Sequence, residues 1–244
     1  MKIIFFLLLF VNLSFAQFET PLVTKTELLQ ESDLVEDERI KLSCRVFNFI
    51  SVVEKLEPGF VGNSIYIKSV KDKKEDAKKE ECNDIKLENY NKVETQGTVL
   101  WGVKENYLFL KDADELSART KFEVFNLEDN NLLFSGIRNN DLLFKIEPIG
   151  NKKYALEYFQ MYNVACDLSD EKGNKKCWAN FLKQIQEVND SKEKKKEIVN
   201  LPFPKCPDSK NKKKFQVFLK VQIPNLEKKK RKILFSKPVC EIAP

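Results

Sequence analysis

From Cys82 to Val164 the chain is a close succession of short apolar and aromatic runs, with no helix-length segment between them. The runs read DIKLENYNKV, QGTVLWGV, NYLFLK, TKFEVFNL, NLLFSGI, DLLFKIEP and KKYALEYFQMYNV, and clusters of Asn, Asp, Gly and Pro separate them. Each is about as long as a typical strand, and the separators have turn chemistry. Parallel pairing needs crossover connections, for which there is no room, so the strands pair antiparallel. That pattern predicts a sandwich or barrel.

The segment from Cys166 to Cys240 closes this array. It holds four of the six cysteines, at 166, 177, 206 and 240. In CWANFLKQIQEV, residues 177–188, Trp178, Phe181, Leu182 and Ile185 recur at helical spacing, which predicts one short helix laid on the sheet. In KFQVFLKVQI, Phe215, Val217, Leu219, Val221 and Ile223 occupy one face of a period-2 strand, and Gln216, Lys220 and Gln222 the other, with Phe218 as the exception. The turn region NLEKKKRK then leads into ILFSKPVCEI, read as the last strand.

The first sixteen residues, MKIIFFLLLFVNLSFA, place one cation before an apolar run and small residues after it. This is the layout of a secretory signal peptide, cleaved after Ala16. The run is too short to span a bilayer as a helix. All six cysteines, Cys44, Cys82, Cys166, Cys177, Cys206 and Cys240, follow it, and an even number in an exported chain predicts a set of disulfides. Spacing alone leaves their connectivity open. There is no histidine in 244 residues. Its absence excludes Ser/His/Asp and Cys/His nucleophile arrangements, HExxH metal sites and histidine switches. With no CxxC pair either, no metal site and no cofactor is expected. No GxSxG, P-loop or GxGxxG motif occurs, and no carboxylate pair stands out by motif, so the protein is read as non-enzymatic.

Four regions follow from composition. Residues 1–16 are the signal. Residues 17–43 carry seven acids against Lys25, Arg39 and Lys41, and are read as an acidic N-terminal arm outside the core, with Leu28, Leu29, Leu34 and Val35 on a short helical stripe. Residues 44–81 pair CRVFNFISVV with SIYIKSV as a hairpin across EPGFVGN, then run into KDKKEDAKKEE, a solvated charged loop. Residues 82–244 form the main domain. Within it, NDSKEKKKE follows the helix as a polar loop carrying the N-glycosylation sequon at Asn189.

A net charge of +5 is mild, and lysine-rich runs interleaved with acids do not make the basic face that nucleic acid requires, so no nucleic-acid partner is expected. One run differs. Lys228, Lys229, Lys230, Arg231 and Lys232 are adjacent on a hairpin turn and are suited to an anionic membrane surface, at about 1 kcal/mol per charge.

The residues from Cys82 onward also resemble the secreted MD-2-related lipid-recognition (ML) family, especially its GM2-activator-like members. The resemblance is carried by ECNDIKLENY, NVACDL with CWANFL after it, PFPKCP, and the terminal PVCEI. It covers about two thirds of the chain. Three departures stand beside it: a preceding block with Cys44, an added strand-rich stretch between Trp101 and Ile137, and DSKNKKKF where the family has Gly-Thr-Tyr after the Cys-Pro. The resemblance implies a mostly β, cup-like, immunoglobulin-like antiparallel β-sandwich with one short helix. It also implies bridges from Cys82 to Cys240 and from Cys166 or Cys177 to Cys206, with Cys44 competing for the place of Cys82.

The resulting expectation is a secreted binding protein holding a lipid or other apolar ligand in an inter-sheet cavity, with presentation to a protein receptor. The walls are Phe215, Val217, Leu219, Val221 and Ile223, facing Trp101, Phe109, Phe122 and Val124, with Trp178 on the lid-side helix. The alternative is a secreted protein-interaction module with a filled core and no small-molecule ligand. Packing density decides between them.

Overall fold

The computed structural model describes residues 17–29, 40–70, 81–95, 97–114, 119–165, 167–168, 171–189, 201–207, 215–228, 231–234 and 236–242. The signal segment, Leu34, Val35, the charged loop at 71–80, Cys166, the loop after Asn189, Lys229 and Lys230 lie outside these residues.

The protein is mostly β, built from two antiparallel sheets and one helix among the described residues. The first sheet has five strands in sequence order: β1 (Val23–Leu28), β2 (Lys41–Val46), β3 (Ile50–Leu56), β4 (Ser64–Ser69) and β5 (Asn91–Val93). The second has nine: β6 (Thr98–Lys104), β7 (Tyr107–Asp112), β8 (Arg119–Asn126), β9 (Asn131–Asn139), β10 (Phe144–Gly150), β11 (Lys153–Val164), β12 (Phe215–Ile223), β13 (Lys232–Ile233) and β14 (Val239–Ile242). Helix α1 spans Glu171–Asn189. It starts six residues before the expected Cys177, because the apolar stripe marks only the face that meets the sheet.

Three sequence expectations are corrected. Residues 23–28 are not an arm outside the core. VTKTEL pairs along its whole length with β2 as an edge strand, its β-branched residues suiting an extended backbone. The 44–53 run is not one strand but the facing ends of β2 and β3, turning at Asn48–Phe49 where the Phe47 N–H donates to the Ile50 carbonyl at 2.8 Å. The final ILFSKPVCEI run is likewise split, since β13 and β14 pair separately with β12. The first sheet also takes β5 from beyond Cys82, so sheet membership does not follow the expected division there.

The nine-stranded sheet folds back on itself. β11 pairs with β12 along one edge and with β10 on the other, and reaches β9 through Gln160 opposite Arg138. One leaf, β6 to β9, therefore faces the other, β10 to β14. β7 shows how the middle leaf is buried on both sides. Tyr107 and Phe109 enter the core between the leaves, while Leu108 and Leu110 enter a second core against the five-stranded sheet, with Val52, Ile65 and Ile67. A period-2 strand puts successive side chains on opposite faces, so an unbroken Tyr-Leu-Phe-Leu run needs apolar neighbours on both.

Glu54 of β3 locks the two sheets together. It is buried, its Oε1 accepts from the Leu100 N–H of β6 at 2.8 Å and from Asn63 Nδ2 at 3.0 Å, and its Oε2 lies 2.8 Å from Arg45. A buried carboxylate is tolerated when paired and hydrogen-bonded this fully.

The disulfides differ from those the resemblance implied. Cys44 bonds Cys82, and Cys206 bonds Cys240; Cys177 is also disulfide-bonded. Cys82 is thus tied within the first sheet's neighbourhood, in the cluster with Leu42, Val46 and Val53. Cys240 on β14 is held by the 201–207 segment instead. Among the described residues no helix is long and apolar enough to cross a membrane.

Candidate functional site

The residues expected to wall a cavity do face one another across the folded sheet. Phe109, Phe122, Val124, Trp178, Phe215, Val217, Leu219, Val221 and Ile223 belong to one cluster, and Trp101 packs against it. Phe144 of β10 sits between the leaves, with its ring centroid 5.3 Å from Phe122 and 4.3 Å from Trp101. Tyr158 of β11 lies 5.1 Å from Phe122. Such tilted and edge-on spacings are those of packed aromatic cores. At the other end α1 contributes Trp178, stacked on Phe181 at 5.3 Å, and Phe181 meets Tyr162 of β11.

β12 departs from a strand with one dry face. Gln216 and Phe218 are buried along with Phe215, Val217 and Leu219, and Gln216 Nε2 donates to Asn163 Oδ1 at 3.2 Å.

The leaves do not close into a barrel. Between the free edges of β6 and β10 lie residues 17–19. The Glu19 N–H donates to the Val103 carbonyl at 2.9 Å, the Gln17 side-chain amide donates to the Phe144 carbonyl, and the Glu105 N–H donates to Glu19 Oε1 at 2.6 Å. Phe18 fills the gap, 5.4 Å from Trp101 and 5.2 Å from Phe109. Gly102 makes this possible, since a Cβ there would stand 2.3 Å from Phe18 Cγ. Nothing in the acidic composition of this segment marked Phe18 as a core residue. Its isolation as the one aromatic between 17 and 43 was the available signal.

A polar pocket of about 300 Å³ opens at the Trp101 end of the interior, between the ends of β7, β8 and β9. Trp101 reaches it because β6 carries an extra residue at that point: Leu100 pairs with Leu110 and Gly102 with Phe109, leaving Trp101 as the bulge. Bulges re-aim side chains in this way. Arg138, Asn140, Thr120, Lys111, Asp112 and Asp114 complete the lining. The Arg138 guanidinium lies 4.7 Å from the Trp101 ring centroid and 5.1 Å from that of Phe144, within cation–π range. Burial lowers its pKa. Sequence reasoning singled out Trp101 but not the polar residues around it, which converge only through strand register.

Burial also raises three tyrosines of the interior. Tyr107 is pushed up to about 12 by desolvation and by Glu227, and Tyr154 to about 12 by desolvation and its 3.0 Å hydrogen bond to Glu105. Tyr158, the most enclosed, is raised by desolvation as well.

Of the five adjacent cations, Lys228, Arg231 and Lys232 are described and exposed. Arg231 is engaged with β9: its guanidinium covers the Phe134 ring at 4.3 Å and donates to the Ser135 carbonyl at 3.1 Å. Asn189 is the last residue of α1. The chain matches no protein-family model, no curated protein and no solved structure.

Proposed function

We propose that this is an exported, non-enzymatic interaction module whose sandwich interior is filled, acting through its surface rather than carrying a lipid. The observation that supports this reading is the contact between the two leaves, where the rings of Phe122, Phe144, Trp101 and Tyr158 pack on one another. The disulfides suit an oxidising compartment.

The surface itself offers a contact point. Phe60 and Val61, 71% and 77% exposed, crown the β3–β4 turn. The turn is held by Gly59 and Gly62 at positive φ, by the Asn63 N–H donating to the Thr98 carbonyl at 2.7 Å, and by close approach of Gly62 to Gly97. A preorganised apolar tip loses little entropy on binding.

Native mass spectrometry of protein from a eukaryotic secretory host tests the reading. After incubation with vesicles of mixed phospholipid, sterol and fatty acid, the mass of the protein alone is expected; stoichiometric lipid uptake would restore the lipid-carrier reading. In cross-linking on the secreting cells, adducts of the wild type should be lost in a Phe60→Ser/Val61→Ser variant.

A further inference from the structure

Two opposite charges share the pocket at the Trp101 end of the interior without neutralising each other. Among the described residues Arg138 makes a single hydrogen bond, from Nη2 to Asn140 Oδ1 at 3.1 Å, and its buried Nε has no acceptor there. Asp112 accepts one, from the Lys121 N–H at 3.3 Å. Among the described residues neither makes an ion pair. A half-buried guanidinium without a counterion is costly, and an anion bound to it recovers that cost.

The rest of the lining narrows the choice of anion. Lys111 and Asp114 add one further charge of each sign, so the lining is neutral among the described residues. A neutral, two-signed pocket offers no net attraction to inorganic phosphate or a dicarboxylate. It complements a molecule carrying both signs itself. A volume of about 300 Å³ is at the small end of ligand sites, which favours a single compact molecule over a peptide.

We propose that this pocket binds a free α-amino acid, with its carboxylate on the Arg138 guanidinium and its ammonium group on Asp112. Arginine presents paired N–H donors in a plane that matches a carboxylate, and its guanidinium is held 4.7 Å from the Trp101 ring centroid and 5.1 Å from that of Phe144, which restricts its position in advance. Asp112, at the end of β7, is held by the backbone of β8, so both charges stand on paired strands rather than on free loops. The ligand lies outside the packed interior, and the proposal is independent of the filled-core reading above.

The experiment is a titration of ¹⁵N-labelled protein, following the Trp101 indole and Arg138 Nε signals, with the Trp178 indole as the fold control. L-Alanine and L-phenylalanine should give saturable shifts at Trp101 and Arg138 that propionate, ethylamine and inorganic phosphate do not reproduce. Arg138→Gln and Asp112→Asn should each weaken the amino acid at least about tenfold, the loss of one charge-assisted contact. Should Arg138→Gln fail to fold, Asp112→Asn and the comparison of L-alanine with propionate on the wild type carry the test. Absence of saturation by either amino acid, equal binding of propionate or phosphate, or unchanged affinity in Asp112→Asn would overturn the assignment.

Discussion

Replacing Phe18 by alanine should destabilise the whole molecule although the residue lies in an acidic segment far from the cysteines. A fully buried Phe→Ala change costs about 3–5 kcal/mol. Phe18 is partly buried, so roughly half of that applies, and loss of its contacts with Trp101 and Phe109 adds some tenths to about 1 kcal/mol. A total of about 2–3 kcal/mol corresponds to a fall in Tm of roughly 5–10 °C for a chain of this size. Gly102→Ala supplies the decisive comparison, because its new methyl would stand 2.3 Å from Phe18 Cγ. Alone, it should cost a similar amount by expelling Phe18. In the Phe18→Ala background the ring clash is gone and only the remaining Cβ, 2.8 Å from the new methyl, has to shift, so the second change should cost clearly less than it does alone. Urea denaturation of the four proteins, followed at the tryptophans, closes the double-mutant cycle. Additive costs, or a Phe18→Ala midpoint within error of wild type, would refute the claim that Phe18 joins the two leaves.

Non-reducing peptide mapping should recover Cys44 with Cys82 and Cys206 with Cys240. Removing either pair as Cys→Ser should cost about 4 kcal/mol in the chain-entropy model, given separations of 38 and 34 residues. Glu54→Ala should cost about 3 kcal/mol, because Arg45, Asn63 and the Leu100 N–H lose their common acceptor; Glu54→Gln, which keeps an oxygen there, should cost less, and equal denaturation midpoints for the two would contradict the tie between sheets. Tyr107 and Tyr154, raised to about 12, stay protonated in the folded chain at pH values where the unfolded chain ionises near 10. Their contribution to stability is complete below pH 10 and is lost as pH rises from 10 through 12. Ultraviolet titration should show these tyrosines ionising late, and Tyr107→Phe/Tyr154→Phe should flatten the alkaline loss.

The strand rhythm from Gln96 to Val164 was legible because each run carries its own turn residues, and β6 to β11 fall within a few residues of the runs read in the sequence. The closing strand β12 was equally plain as a strand, although both of its faces are buried through Leu219. Less legible were places where apolar content and chain direction disagree. Phe47 and Phe49 look like strand residues, yet Asn48 between them turns the chain and leaves Phe49 half-exposed beneath Lys152. The 23–28 strand was hidden by acidic neighbours, since an edge strand needs only one partner and can turn Thr24, Thr26 and Leu28 to solvent while Lys25 and Glu27 pair with each other on the partly covered face. Disulfide pairing depended on which strands become neighbours, and here the first sheet keeps Cys82 for itself. The Arg138–Asp112 pocket was least visible. Its residues are separated in sequence, and only the register of β7, β8 and β9 together with the Trp101 bulge assembles them.

The placement of residues 17–19 has a consequence for biosynthesis. Gln17 and the carbonyl it contacts are 127 residues apart. At ordinary elongation rates of 5–20 residues per second, roughly 6–25 s pass between synthesis of the two ends of that contact. Until β10 is made, Phe18 can meet Trp101 and Phe109 on one leaf, but the Gln17 contact on the other leaf has no partner. The last seam of the sandwich is bridged by the earliest part of the described chain, so a nascent molecule stalled before Phe144 holds that segment against one leaf alone and leaves the apolar face that β10 would cover exposed.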